Sequence, residues 1–223
     1  MIGDSGVFTS PRIDNVSSVS AILESLVRIG NKWKEEKGKG TEAALADEKI
    51  SEADGSDMNL DIGVFFDNEE IGSLSKQGAD SGLLRMITER ILKDSGESRT
   101  IQELLPEIFL ISLDVAHGTH PNYQEKSDPV NRVLLGNGVV LKSSASQRYV
   151  TDSEAAAVIQ VLCEDEKIPF QRTVNKTGMP GGTTLGPIVS SYLPVKAVDM
   201  GMPVLAMHSA CLLYTSPSPR DRG

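Results

Sequence analysis

The sequence predicts an α/β domain built around a mostly parallel sheet, and three observations carry that reading. Short apolar runs such as "IGVFF" (62–66), "IFLISLDVA" (108–116) and "GVVLKSS" (138–144) have the β-branched and aromatic content of strands covered on both faces. Between them lie stretches whose apolar residues recur at helical spacing. The two kinds of segment alternate along the chain, as they do when helices cross over between parallel strands. At 223 residues, one sizeable core is expected.

Taken in order, Val19, Ile22, Leu23, Leu26 and Ile29 predict a first helix, with serines available to cap it. From Asn31 to about Asp61 the composition turns to mixed charge with glycine and few apolar anchors. That predicts a charged mobile loop over 31–60, with a possible short helix near Glu42 to Ile50. "IGVFF" follows as a strand that runs directly into Asp67, Asn68, Glu69 and Glu70. Leu83, Leu84, Ile87 and Ile91 predict the next helix, and "IFLISLDVA" a second strand with Asp114 at its end.

After the turn-rich "HPNYQEKSDP" comes a strand bearing Lys142. Thr151 and Glu154 have capping-box spacing ahead of a helix through Ala157, Val158, Val161 and Leu162. "FQRTVNK" and "VKAVDMG" read as strands flanking "GGTTLGPIVSSYL", a glycine-threonine turn into a helix. "VLAMHS" closes the series with His208. In "LLYTSPSPRDRG" no hydrophobic period survives, and "SPSP" cannot hold a helix or a central strand. Residues 210–223 are therefore expected to be disordered or foreign to a domain covering 1–209.

Composition narrows the function. A formal charge of −9 with lysines scattered among glutamates offers no basic stripe for nucleic acid. No uncharged run reaches membrane-spanning length, and the start lacks the basic and apolar regions of a signal peptide. The two cysteines, Cys163 and Cys211, fit neither a disulfide framework nor a zinc-knuckle spacing, so a reducing, cytoplasmic setting is expected.

Open α/β sheets bind ligands beyond the carboxyl ends of their strands. Asp14 before a helix, Glu69 and Glu70 after one strand, Asp114 ending another and His208 ending the last are all placed for such a site. Carboxylates and imidazole are ordinary ligands of zinc or a similar divalent ion. In an extended segment neighbouring side chains diverge, so Glu70 would anchor an ion while Glu69 acts on water as a general base. By spacing alone other readings stay open: a solvated acidic loop, aspartates as turn formers or caps, and His208 as a core histidine.

The wording of the segments adds to their spacing. "SPRIDN", "FFDNEEIGS", "LDVAHGTHPNY", "LKSSASQRY", "MPGGTTLGP" and "MHS", in this order, resemble the aspartyl aminopeptidase family of metallopeptidases, from about Phe8 to Ser209 outside the charged loop. The resemblance implies a zinc-peptidase-like catalytic domain, a three-layer α/β/α sandwich around a mostly parallel sheet, incomplete in this chain. It implies two divalent metal ions, zinc first, with cobalt and manganese suited to the same ligands. Asp14 would bridge them, Asp114 would bind the first, Glu70 and His208 the second, and Glu69 would be the general base.

Substrate contacts are implied for His117, Lys142 and Tyr149, together with Glu69 and Asp114. The expected substrate is a peptide with an N-terminal Asp or Glu, its side chain met by Lys142 in a partly desolvated pocket. "MPGGTTLGP" would offer backbone N–H groups to an oxyanion or carboxylate, or else simply turn the chain into a helix. The family also supplies a first-metal histidine from a segment upstream of "SPRIDN" and forms large homo-oligomers. The three histidines here, His117, His120 and His208, leave the first ion with Asp14 and Asp114. A fragment of a larger enzyme, weakly active or inactive alone, is therefore expected. Two other readings remain: a two-metal hydrolase of neutral peptides or acylated amino acids, and a noncatalytic assembly or cargo-binding relative.

Overall fold

A computed structural model describes residues 6–44, 60–179, 181–209 and 212–215. The chain divides into two units, one of residues 1–18 with 66–223 and one of residues 19–65.

The first unit is built on a four-stranded sheet of β2 (Phe109–Leu113), β6 (Lys196–Gly201), β4 (Val139–Ser143) and β5 (Phe170–Val174), in that spatial order. β2 pairs with β6 and β4 with β5 in parallel, while β4 and β6 meet antiparallel, so the sheet is mostly parallel as expected. Strand alternation gives it two faces. On one, Leu141 of β4 and Val198 of β6 pack with Ala155, Ile159 and Cys163 of α4 (Ser153–Asp165), joined by Phe109, Val139, Phe170 and Met200. On the other, Lys142 and Asp199 stand side by side, and α5 (Leu185–Tyr192) comes close enough that a Cβ on Gly186 would lie 2.7 Å from the Asp199 carboxylate. Helix, sheet and helix thus form the three expected layers.

The cap of α4 is Asp152, whose carboxylate accepts from the Ala155 N–H at 2.7 Å, and not the expected Thr151. Thr151 instead spends its hydroxyl on the sheet, accepting from Asp199 N–H and donating to the Lys142 carbonyl. The buried face of α4 is also rotated from the predicted one: Val158, Val161 and Leu162 are exposed. The helix is apolar on several sides, so periodicity alone could not choose the face turned to the sheet. Two further helices, α2 (Leu83–Asp94) and α3 (Ile101–Leu104), precede β2, and α3 carries the chain's observed capping box, Thr100 with Glu103.

A smaller sheet runs β1 (Val7–Ser10), β8 (Leu212–Thr215), β7 (Pro203–Leu205), β3 (Ala116–His117). β3 and β7 are parallel and continue the β2 and β6 pair past a break at Asp114, where Ala116 N–H donates to the Met202 carbonyl. Gly201 makes the break possible: a Cβ there would lie 1.3 Å from the Asp114 carbonyl oxygen. β8 lies in the segment expected to be a disordered or foreign tail, yet it pairs with both β1 and β7. The branched and aromatic side chains of "LLYT" suit an inner strand, and the prolines that argued against structure come only after them. Residues 210–211 and 216–223 of that predicted tail lie outside the described residues.

Among its described residues the second unit is mostly helix. α1 (Ile13–Ala44) begins in the first unit and runs on through the second. Residues 31–44, expected in the charged loop, continue this helix, because lysine, glutamate and alanine are good helix formers even without an apolar stripe. The rest of that loop, 45–59, lies outside the described residues. "IGVFF" is not a strand: among the described residues it has no ladder partner, and Gly63 lies against Ile22 and Leu26 of α1.

Candidate metal centre

Several backbone devices converge on one place in the first unit. Asn15, at the start of α1, donates from Nδ2 to the Leu113 carbonyl at 2.9 Å, fixing Asp14 beside the end of β2. Asp114 follows β2 directly. Glu69 and Glu70 lie in a short 3-10 turn, Glu69–Ile71, set between Asn68 and Gly72, both left-handed. The divergence of the two glutamates therefore comes from about 120° per residue in that turn, not from the extended strand expected. Beyond β7, a turn closed by the Ser209 N–H to the Ala206 carbonyl brings in His208.

Arg12, Asn68, Ser73, Ala206 and His208 all have φ near 60°. Such conformations disfavour non-glycine residues and collect at functional sites.

Asp14, Glu70 and His208 each offer one ligand atom within 4.8 Å of the others. His208 Nε2 stands 3.5 Å from Asp14 and 3.4 Å from Glu70. Asp14 is largely enclosed, at 12 % side-chain exposure, while His208 at 65 % faces solvent. The three line an open cleft of about 430 Å³ with Arg12, Ser209 and Leu212.

Burial, then Asp114 and Glu70, pushes the Asp14 carboxyl up to about 6, with His208 acting against the shift. Burial, then Asp114, Glu70 and Asp14, pushes Glu69 up to about 7. Four acids thus share a space in which they repel each other, and a divalent cation relieves that repulsion. The donor set, oxygen from Asp14 and Glu70 and nitrogen from His208, suits zinc.

Asp114 adjoins this group, with Lys142 Nζ 3.4 Å from its Oδ2 and its Oδ1 accepting from the Val115 N–H at 2.7 Å. Lys142 was expected to present its ammonium to a substrate. It is 2 % exposed and already donates to Asp114 and, at 2.8 Å, to the Val115 carbonyl. The Tyr149 ring centre lies 5.3 Å from Lys142 Nζ.

His117 keeps a solvent-facing side, but enclosure by the protein lowers its pKa, and His208 and Lys142 add to that. The chain's other histidine, His120, packs against Tyr123. The start of α5, expected to offer N–H groups to a ligand, is faced by the Asp199 carboxylate instead. Sequence reasoning missed Asp199 and Arg12. An acid flanked by Val198 and Met200 inside "VKAVDMG" was the available signal for Asp199; Arg12 gave none.

A family model described as "Aminopeptidase I zinc metalloprotease (M18)" matches residues 2–217. The "Probable M18 family aminopeptidase 2" of Clostridium novyi (strain NT) is 39 % identical over 202 residues, covering 90 % of this chain and 41 % of that protein. "Aspartyl aminopeptidase 4" of Saccharomyces cerevisiae is 44 % identical over 153 residues, covering 65 % and 31 %. Among solved structures, the complex of Ape4 and Nbr1 matches with a TM-score of 0.75 at 28 % identity, covering 94 % of this chain and 36 % of that one. The mApe1 dodecamer of S. cerevisiae shares the fold, with a TM-score of 0.70 at 23 % identity, covering 96 % and 44 %.

The chain therefore spans less than half the length of the curated relatives it matches. By its matched residues, its sheet and its clustered acids and histidine, this chain belongs to the M18 family of aminopeptidases, described as zinc metalloproteases.

Proposed function

We propose that the chain carries part of the catalytic domain of a metal-dependent aminopeptidase that removes acidic N-terminal residues from peptides. The observation that carries this reading is the meeting of Asp14, Glu70 and His208 within 4.8 Å, beside a Glu69 held close to neutral pKa. Glu70 and His208 would hold one ion, Asp114 a second, and Asp14 would bridge two zinc ions. When bound, such ions act as Lewis acids and lower the pKa of water to roughly 7.

The chain's own residues do the rest. Glu69 is the general base: it takes a proton from the attacking water and returns it to the leaving amine, a role suited to a carboxyl poised near the working pH. His117, which feels the charges of His208, Lys142 and Asp114, and Tyr149, whose ring lies against Lys142, would be the further substrate contacts. Lys142, buried and paired with Asp114, keeps that carboxylate oriented and sets a fixed positive charge behind the Tyr149 ring in a desolvated wall, where it favours an acidic side chain by charge and not by contact. The name of the yeast aspartyl aminopeptidase relative supports the acidic preference.

The dodecamer formed by S. cerevisiae mApe1 supports a homo-oligomeric assembly for the whole protein. Cys163 is a buried free thiol, in keeping with a cytoplasmic location, and among the described residues no helix is long and apolar enough to cross a membrane. For the first ion the described ligands are Asp14 and Asp114, so the 223-residue chain alone is expected to bind one ion weakly and to hydrolyse peptides poorly.

The test compares hydrolysis of Asp-, Leu- and Ala-anilides by the full-length enzyme, then repeats it with Lys142→Ala. The reading expects the Asp-anilide to be preferred and that preference to disappear with Lys142. A preference for Leu-anilide, or an acidic preference that survives Lys142→Ala, overturns the substrate assignment.

A further inference from the structure

Asp199 is fully buried in β6, at 0 % exposure, and none of the roles above uses it. Burying a carboxylate in a sheet is costly unless its bonds are needed. Asp199 stands opposite Lys142 in the register of β4 and β6. Its Oδ2 accepts from the Val150 N–H at 2.6 Å, and its own N–H donates to Thr151 Oγ1 at 2.9 Å. Thr151 Oγ1 in turn donates to the Lys142 carbonyl at 2.5 Å.

One residue further on, Asp152 exchanges two bonds with Ala197 of the same strand. α5 is shaped around this arrangement: a Cβ on Gly186 would lie 2.7 Å from Asp199 Oδ2 and 2.6 Å from Val150. Tyr149 directly precedes the tethered segment and holds its ring against Lys142.

We infer that Asp199 is a positioning residue: by tying the Val150 N–H to β6 its carboxylate keeps the neighbouring Tyr149 folded over Lys142 and so builds the wall that meets the substrate's side chain. That the wall meets substrate rests on the proposed function; that Asp199 holds it does not. Asp199 touches neither substrate nor ion. The effect of its carboxylate passes through the Val150 N–H and the adjoining Tyr149 to the buried Lys142.

The shielding of Lys142 is the direct readout. The 223-residue chain is labelled with an amine-acylating reagent, and the rate at each lysine is followed by mass spectrometry. In Asp199→Ala the Val150 N–H loses its acceptor, and Lys142 should be labelled at least about tenfold faster, the effect of one lost bond to a charged group. The exposed Lys76 and Lys93 should keep their rates. Asp199→Asn still offers an oxygen to Val150 and should stay within about threefold of the unaltered chain.

If circular dichroism shows that Asp199→Ala does not fold, Asp199→Ser decides, since its hydroxyl keeps a polar group in the buried place but is too short to reach the Val150 N–H. There too Lys142 should be labelled faster. An unchanged Lys142 rate in a folded variant, an acceleration shared by Lys76 and Lys93, or Asp199→Asn as fast as Asp199→Ala overturns the inference. The experiment needs no zinc. Loss of the labelling pattern in a chain that binds zinc refutes the role of Asp199 alone, and the pattern in a chain that binds none refutes only the peptidase reading.

Discussion

Replacing Glu69 by glutamine should stabilise the metal-free chain, and by an amount that grows with pH. The folded chain raises this carboxyl from 4.5 to about 7, so it holds the proton more tightly than the unfolded chain does. Stability from this group is then full below about pH 4.5 and is lost as pH rises through 7. At about 1.36 kcal/mol per pH unit the whole shift corresponds to roughly 3 kcal/mol. Glu69 is only half-buried, and screening by water reduces the figure to roughly 1.5 kcal/mol.

Glutamine carries no charge, so Glu69→Gln should match the unaltered chain at pH 4.5 and exceed it by about 1.5 kcal/mol at pH 8. Urea unfolding in the presence of a chelator measures both chains at both pH values. His117 pulls the other way, since its lowered pKa adds stability as pH rises through the ordinary histidine value, but that contribution cancels in the difference between the two chains. A variant no more stable than the unaltered chain at pH 8, or a gain equal at both pH values, would refute the picture of crowded acids.

Other consequences follow from the same geometry. Gly201→Ala puts a methyl group 1.3 Å from the Asp114 carbonyl; it should cost about 3 kcal/mol or more in a thermal melt, because backbone on both strands must shift. Asp152→Ala removes the cap of α4 and the acceptor for Ala197 N–H; a loss of about 2 kcal/mol in urea unfolding is expected, with Asp152→Asn recovering most of it. Zinc affinity should fall about fourfold between pH 7.5 and 5.5 in calorimetry, as the Asp14 carboxyl takes up its proton near pH 6 and keeps only roughly a quarter of its ionised form at the lower pH.

Much of the fold was legible because period and burial coincide in it. Phe109–Leu113, Val139–Ser143 and Phe170–Val174 are short runs paired in the sheet, the inner one buried and the two edge strands partly so, and pattern alone found them. Pattern failed where partners decide. "IGVFF" has the composition of a strand and no neighbour to pair with, while "LLYT" sits beside prolines yet fits between β1 and β7. The run from Asn31 to Ala44 lacks an apolar stripe, but its residues favour helix individually, so the helix continued where a loop was expected.

At the site, spacing alone left Asp14, Glu70 and His208 open to other readings, and among the described residues no strand leads directly into Glu70; their ligand roles were legible through the resemblance of "SPRIDN", "FFDNEEIGS" and "MHS". That their ligand atoms meet depended on turns at Asn68 and Ala206 that no periodicity announces. Lys142 was legible as a residue but not in its burial: its ammonium lies against the Tyr149 ring and donates to Asp114 and to the Val115 carbonyl, contacts that no local pattern announces.

The most direct measurement is calorimetric titration of the folded 223-residue chain with zinc at pH 7.5. One equivalent of zinc should bind the unaltered chain; His208→Ala or Glu70→Gln should abolish binding, and His120→Ala should leave it unchanged. A folded chain that takes up no zinc, or one that binds it equally well without His208 and Glu70, would contradict the assignment of this centre.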